Sequence, residues 1–170
     1  MKILKSFILI ICITTLFSSC ETYGDPDIKH SVIFPMSGEW IGELTSSNNS
    51  VKDAVIVDTY NTSDESTSEM WLRVYKHNGA TGTTAGVTYP VRGKVNIDLA
   101  NKTFSVTNVL NNLTADKNFS VQNGTVILKS VTAPSGAIAD GIKFTYTSDR
   151  TPGVTYTVEA YRRTNWGDDE

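Results

Sequence analysis

From residue 37 onward apolar and polar side chains alternate with period two, the spacing that places successive residues on opposite faces of a strand. In residues 39–45, Trp40, Gly42 and Leu44 face one way and Ile41, Glu43 and Thr45 the other. Residues 54–60 carry Val55-Ile56-Val57, a β-branched run apolar on both faces. Residues 70–76 set Met70, Leu72 and Val74 against Trp71, Arg73 and Tyr75. The cleanest alternation is 91–99, with Val91, Gly93, Val95, Ile97 and Leu99 opposite Arg92, Lys94, Asn96 and Asp98. Gly93 inside that strand marks a bend or a close approach.

Asn101-Lys102 turns the chain into a strand at 103–106, and residues 108–118 read as one helical turn or a loop. Gln122-Asn123-Gly124 reads as a tight turn between strands at 119–121 and 125–131. Pro134, Gly136 and Gly141 punctuate the next loop, and strands at 142–147 and 154–161 pair across residues 148–153. Asn48-Asn49-Ser50, the polar stretch 61–69 and the Gly-rich stretch 79–86 supply the other connections.

No segment holds a helical period and no repeat occurs. About eight short strands joined in chain order predict an all-β fold, an antiparallel up-and-down barrel. Eight strands enclose room for side chains or for one small ligand. Trp40, Leu44, Leu72, Val95, Ile97, Phe144, Tyr146, Tyr156 and Val158 are the candidate interior, and hence the candidate ligand contacts. The same stripe fits a filled core, and both readings stand.

Ahead of the strands, Lys2 and Lys5 precede an apolar run that ends in Leu16-Phe17-Ser18-Ser19-Cys20. The run is too short for a span of roughly 20 apolar residues, and it has the layout of a secretion signal. It resembles a bacterial lipoprotein signal peptide, with Phe17 where Leu is usual and Leu16 one place further out. The resemblance implies cleavage before Cys20 and a diacylglycerol on its thiol, so the membrane is the expected partner. Several acyl chains, at about 0.8 kcal/mol per buried CH2, hold a protein there stably. The organisation expected is a signal at 1–19, a lipidated tether at 20–36, a barrel at 37–163 and a frayed acidic tail at 164–170. Scattered acids after Cys20 (Glu21, Asp25 and Asp27) fit an outer-membrane lipoprotein on the periplasmic or cell-surface side. Asp25, Asp27 and His30 carry side chains of metal-ligand type, but they read more simply as solvated linker residues, and neither metal nor cofactor is expected.

Charge and cysteine content narrow the functions. The chain has 15 basic and 18 acidic residues, and losing the signal takes the net charge from −3 to −5. That balance argues against nucleic acid and against a polybasic contact with anionic lipid. Cys12 leaves with the signal and Cys20 is acylated, which removes cysteine catalysis and cysteine metal sites.

Gly38-Glu39-Trp40 resembles the opening of a lipocalin or calycin barrel, where the Trp plugs one end. With Thr59-Tyr60-Asn61-Thr62, the polar loop after it, Met70-Trp71-Leu72 and the Phe104 strand, the pattern is similar to small Bacteroidota lipoproteins called lipid-binding putative hydrolases. The resemblance spans roughly residues 37–163 and implies a calycin-like barrel with a small lipid-like ligand. Hydrolysis has no recognisable motif to support it. Gly-x-Ser-x-Gly, His-Glu-x-x-His and a P-loop ending are absent. His77 is the one histidine a triad could use, and it reads as an exposed loop residue. Glu39, Glu43, Asp58, Asp98 and Glu159 offer strand carboxylates that also read as solvated faces. Arg73, Arg92 and Arg162 read as surface charges or as partners for a ligand carboxylate at a barrel mouth. Three functions follow: a barrel that binds a hydrophobic molecule, an accessory protein that binds a partner or glycan through outer aromatics such as Trp71, Tyr75 and Tyr161, and a hydrolase.

Overall fold

The structure is a computed structural model that describes residues 29–77, 88–114 and 116–169. The chain divides into two compact units, Met1–His30 and Ser31–Glu170. The signal, Cys20 and the Gly-rich stretch 79–86 lie outside the described residues.

The second unit is a closed antiparallel barrel of eight strands in chain order. They are β1 (Gly38–Ser46), β2 (Lys52–Asn61), β3 (Glu69–Lys76), β4 (Val91–Asp98), β5 (Thr103–Leu110), β6 (Asn118–Thr132), β7 (Ile138–Ser148) and β8 (Thr155–Arg162). β8 closes the circle on β1, with Trp40 opposite Arg162 and Leu44 opposite Val158. The period-two stripe turns inward throughout, while Arg92, Lys94, Ser105, Thr107, Lys143 and Glu159 point outward. That apolar-in, polar-out order is the reverse of a membrane-spanning barrel. The Val55-Ile56-Val57 run is buried on both faces, as its composition predicts. Among the described residues every buried core side chain lies between Ile33 and Ala160, so the barrel carries its own core.

Four expectations change. The Gln122-Asn123-Gly124 turn is not a turn. β6 runs unbroken through it, and the register steps from Phe104↔Gly124 to Val106↔Val121. One extra β6 residue is accommodated as a bulge, with Asn123 at φ 54. Asn-Gly supplies a positive φ, and a bulge uses that as well as a hairpin does. Further bulges centre on Asn108 (φ 55) in β5 and Lys129 (φ 50) in β6. Gly141 likewise lies inside β7, where a Cβ would come within 2.8 Å of Ser130 Oγ.

The barrel unit also begins at Ser31, ahead of the boundary expected at residue 37. Ile33 and Met36 are fully buried. Nor is the acidic tail frayed. Gly167–Asp169 forms a 3-10 turn whose Asp169 is buried and accepts from the Ser135 amide at 2.6 Å and the Ser135 hydroxyl at 2.7 Å. The Thr164 hydroxyl donates to the same carboxylate.

Candidate functional site

The two ends of the barrel differ. At the entry end, where Ser31 joins, Trp40 is fully buried and its Nε1 donates to Thr59 Oγ1 at 2.9 Å. Thr59 Oγ1 donates in turn to Met36 O at 2.7 Å, which fixes the N-terminal turn. Arg162 lies across Trp40 and donates to Asp140 Oδ2 at 3.1 Å, to Ser37 O at 2.6 Å and to Pro35 O. Gly38 leaves room for it, because a Cβ there would collide with the guanidinium. Trp40 therefore plugs this end.

The opposite end carries tyrosines. Tyr146 and Tyr156 stack at 5.1 Å, and Tyr89 leans on Tyr156 at 6.2 Å. Further in, Phe144 meets Tyr146 at 6.1 Å and Phe104 at 5.5 Å. Tyr146 OH donates to Tyr89 O at 2.7 Å, and Tyr89 OH donates to Asp53 Oδ2 at 2.9 Å. Lys76 Nζ donates to Asp53 Oδ1 at 3.2 Å. Burial pushes both the Tyr146 and Tyr89 phenols well up, and the hydrogen bond to Asp53 adds to the rise at Tyr89. Buried Asn111 ties this rim together, accepting from the Arg92 amide at 3.0 Å and donating to Pro90 O at 3.0 Å. The end therefore grades from plain rings through phenols to an ion pair.

Of the nine candidate interior residues, Trp40, Leu44, Leu72, Val95, Phe144, Tyr146, Tyr156 and Val158 are buried in one core, and Ile97 packs against it half-buried. Tyr89, Asp53 and Lys76 escaped the reading. Tyr89 follows the Gly-rich stretch, outside any strand pattern. Asp53 and Lys76 share the inward parity of Val55 and Val74, which the sequence did contain. The arginines sit elsewhere. Arg73 and Arg92 point outward and Arg162 is engaged at the entry end. Gly93 is a close approach, since a Cβ there would lie 2.7 Å from the Phe119 ring.

On the outer face the five strand carboxylates do not form one cluster, although Glu43 stands opposite Glu159 across β1 and β8. Glu43 pairs with Lys52 at 3.2 Å, Glu159 pairs with Lys143, and Asp98 accepts from Asn101 at 2.7 Å. Glu39 and Asp58 stand opposite each other across β1 and β2, paired with Arg163 and, at 3.7 Å, Arg73. Burial raises the Asp58 carboxyl above the usual carboxylate range and the Glu39 charge adds to this, while Arg73 and Tyr75 lower it in part. Burial, with those two carboxylates, pushes the Tyr75 phenol up to about 12.

The outer aromatics have separate partners. Trp71 stacks on Tyr60 at 6.2 Å with the Arg92 guanidinium 5.3 Å from its ring, and Tyr75 lies buried under Arg73 at 4.1 Å. Tyr161 OH donates to Asp169 O at 2.9 Å. A cleft of about 730 Å³ on the outer wall of β4–β6 is lined by polar and apolar residues alike, among them Ser105, Thr107, Gln122, Ile97 and Val121. Among the described residues no three His, Cys, Asp or Glu side chains are grouped to hold a metal ion; Asp25 and Asp27 lie outside them.

No curated protein matches this sequence. A family described as lipid-binding putative hydrolase matches it over residues 25–167, which takes in all eight strands. With that match and the closed barrel, whose aromatic interior fits a lipid-binding role, the chain belongs to the lipid-binding putative hydrolase family.

Proposed function

We propose that this protein is a lipoprotein, anchored through acylated Cys20, whose barrel binds a small hydrophobic molecule with a polar head. The observation that carries the reading is the graded aromatic run from Phe104 and Phe144 through Tyr146 and Tyr156 to Tyr89, ending at the Asp53–Lys76 pair. Plain rings suit an aliphatic tail, phenols suit the transition, and Lys76 suits a carboxylate or phosphate head. Trp40, Leu44, Leu72, Val95, Ile97 and Val158 pack in the same interior. Acylation holds the chain on the outer membrane, on its periplasmic or cell-surface side.

Native mass spectrometry of the chain from Glu21 onward, gently purified from bacteria, tests the ligand. A co-purifying fatty acid or lipid supports the reading, and its loss in Tyr156→Ala assigns it to the interior. A bare mass, unchanged after incubation with a panel of lipids, overturns it.

The stack of Trp71 on Tyr60 beside Arg92 favours a second reading, recognition of a glycan or protein on the outer wall. A glycan array probed with the purified chain tests it: signal that Trp71→Ala abolishes is the outcome it requires.

A further inference from the structure

Among the described residues, the exposed large apolar side chains are Val32, Phe34, Ile127, Leu128, Ile138 and Trp166, together with Leu110. Leu110 ends β5 at the tyrosine end. The other six lie in segments at the entry end, namely the turn before β1, the outer part of β6 and β7, and the chain after β8. The Phe34 ring lies 5.9 Å from the Arg162 guanidinium carbon, and Arg162 donates to Asp140 Oδ2 at 3.1 Å. Asp140 Oδ1 accepts from the Lys129 amide at 2.9 Å, beside Leu128. Trp166 O accepts from the Asp169 amide at 2.9 Å, and Asp169 holds Ser135 in the β6–β7 connection. The Phe34 turn and the Trp166 turn are thus each tied to the β6–β7 hairpin that carries Leu128 and Ile138.

The β6–β7 hairpin overhangs here. Gly141 pairs with Tyr161 near the end of β8, while Thr132 pairs with Ile138 three residues further out. Its exposed apolar tip adds no support to the core. Gathered apolar exposure of this kind marks an interaction surface.

We propose that the entry end rests on the lipid bilayer, with Phe34, Leu128, Ile138 and Trp166 at the boundary of headgroups and acyl chains. The inference rests on the anchoring reading above. Ten residues separate Cys20 from Ser31, and a chain of that length spans at most about 35 Å. A tether this short holds the entry end near the membrane, at an effective concentration where weak insertion suffices. A tryptophan ring suits the interface, and the Lys129 stem lets its amine reach phosphates. Contact by apolar side chains needs no anionic lipid and persists in salt. It turns the tyrosine end, with Asp53 and Lys76, away from the membrane.

The test uses the chain from Glu21 onward, whose barrel carries its own core, with a hexahistidine tag in place of acylated Cys20. The tag holds it on phosphatidylcholine vesicles doped with a nickel-chelating lipid, so tethering does not depend on acylation. The chain then has no cysteine, and Leu128→Cys, Ile138→Cys and Leu110→Cys each take a single nitrobenzoxadiazole label. Emission at 128 and 138 is expected to rise about threefold or more on tethering, with 110 unchanged and all three thermal midpoints near the parent's. No rise at 128 and 138, or an equal rise at all three, overturns the proposal. A rise without vesicles, with a dimer in sedimentation, assigns the face to a second copy and also overturns it. Palmitate labelling of Cys20 in cells decides the anchor separately.

Discussion

The Arg162 guanidinium carbon stands 4.2 Å from the centroid of the Trp40 ring. A partly desolvated cation over an indole contributes about 1–2 kcal/mol, and here the same guanidinium also donates to Asp140, Ser37 and Pro35. One side chain thereby seals the entry end, ties the last strand to the turn before the first, and holds the β6–β7 hairpin.

Arg162→Lys will not preserve this arrangement, because an ammonium has neither the planar fork nor the reach for three separate acceptors. A loss of about 2–4 kcal/mol is expected in urea denaturation. Trp40→Ala should cost about 3–5 kcal/mol. The two share one interaction, so the double variant should lose less than the sum. Strict additivity in that cycle would mean that the stacking contributes nothing.

Gly38→Ala tests the same contact from the backbone side. A Cβ at Gly38 meets the Arg162 guanidinium, and the expected cost is about 1–3 kcal/mol. In an Arg162→Ala background the methyl has space, and the penalty should largely vanish. Thermal midpoints of the four proteins check this. A penalty that persists without Arg162 would locate the strain elsewhere.

Acid should act on two carboxylates in opposite directions. Burial alone would raise the Asp169 carboxyl, but hydrogen bonds from Thr164, the Ser135 amide and the Ser135 hydroxyl outweigh it and hold it below the usual value. Its stabilisation is present above the unfolded-state value, about 3.9, and is lost as pH falls through the lower folded value. Asp58 is raised, chiefly by burial and then by Glu39. Its ionised form therefore costs stability at neutral pH, and the cost lifts as pH falls through its folded value. Asp169→Asn should remove part of the stability loss at the acid end. Asp58→Asn should flatten the profile at higher pH. Urea midpoints across pH for the three proteins separate these, and identical profiles for wild type and Asp58→Asn would contradict the raised carboxyl.

The stripe Trp40, Leu44, Leu72, Val95, Phe144, Tyr146, Tyr156 and Val158 was legible because period two fixes which side chains share a face, and closure turns that face inward. The resemblance at Gly38-Glu39-Trp40 anticipated the plug for the same local reason, since Gly38 and Trp40 lie on one strand. Arg162 read as a surface charge because its partners, Pro35 and Ser37, are more than a hundred residues away in sequence. The bulge at Asn123 was mistaken for a turn because a positive φ is all that the Asn-Gly pair specifies; whether the chain reverses depends on β5 and β7 alongside. The acidic tail looked frayed because its partner, Ser135, lies in a hairpin whose overhang no local pattern announces.

The tyrosine end permits the sharpest test of the ligand reading. Tyr89→Phe keeps the ring against Tyr156 and removes only the hydroxyl that donates to Asp53, so a loss of about 1 kcal/mol is expected. Tyr146→Phe leaves the buried Tyr89 carbonyl without its 2.7 Å donor and should cost about 1–3 kcal/mol. Lys76→Met keeps the apolar stem and deletes the charge. A ligand with an anionic head should then bind about tenfold more weakly, the equivalent of roughly 1.4 kcal/mol, while an uncharged analogue of the same chain length should bind as before. Calorimetric titration of both ligands against wild type and Lys76→Met measures the difference. Equal weakening of the two would place the effect in the fold of the rim, and no weakening of either would remove Lys76 from the ligand's path.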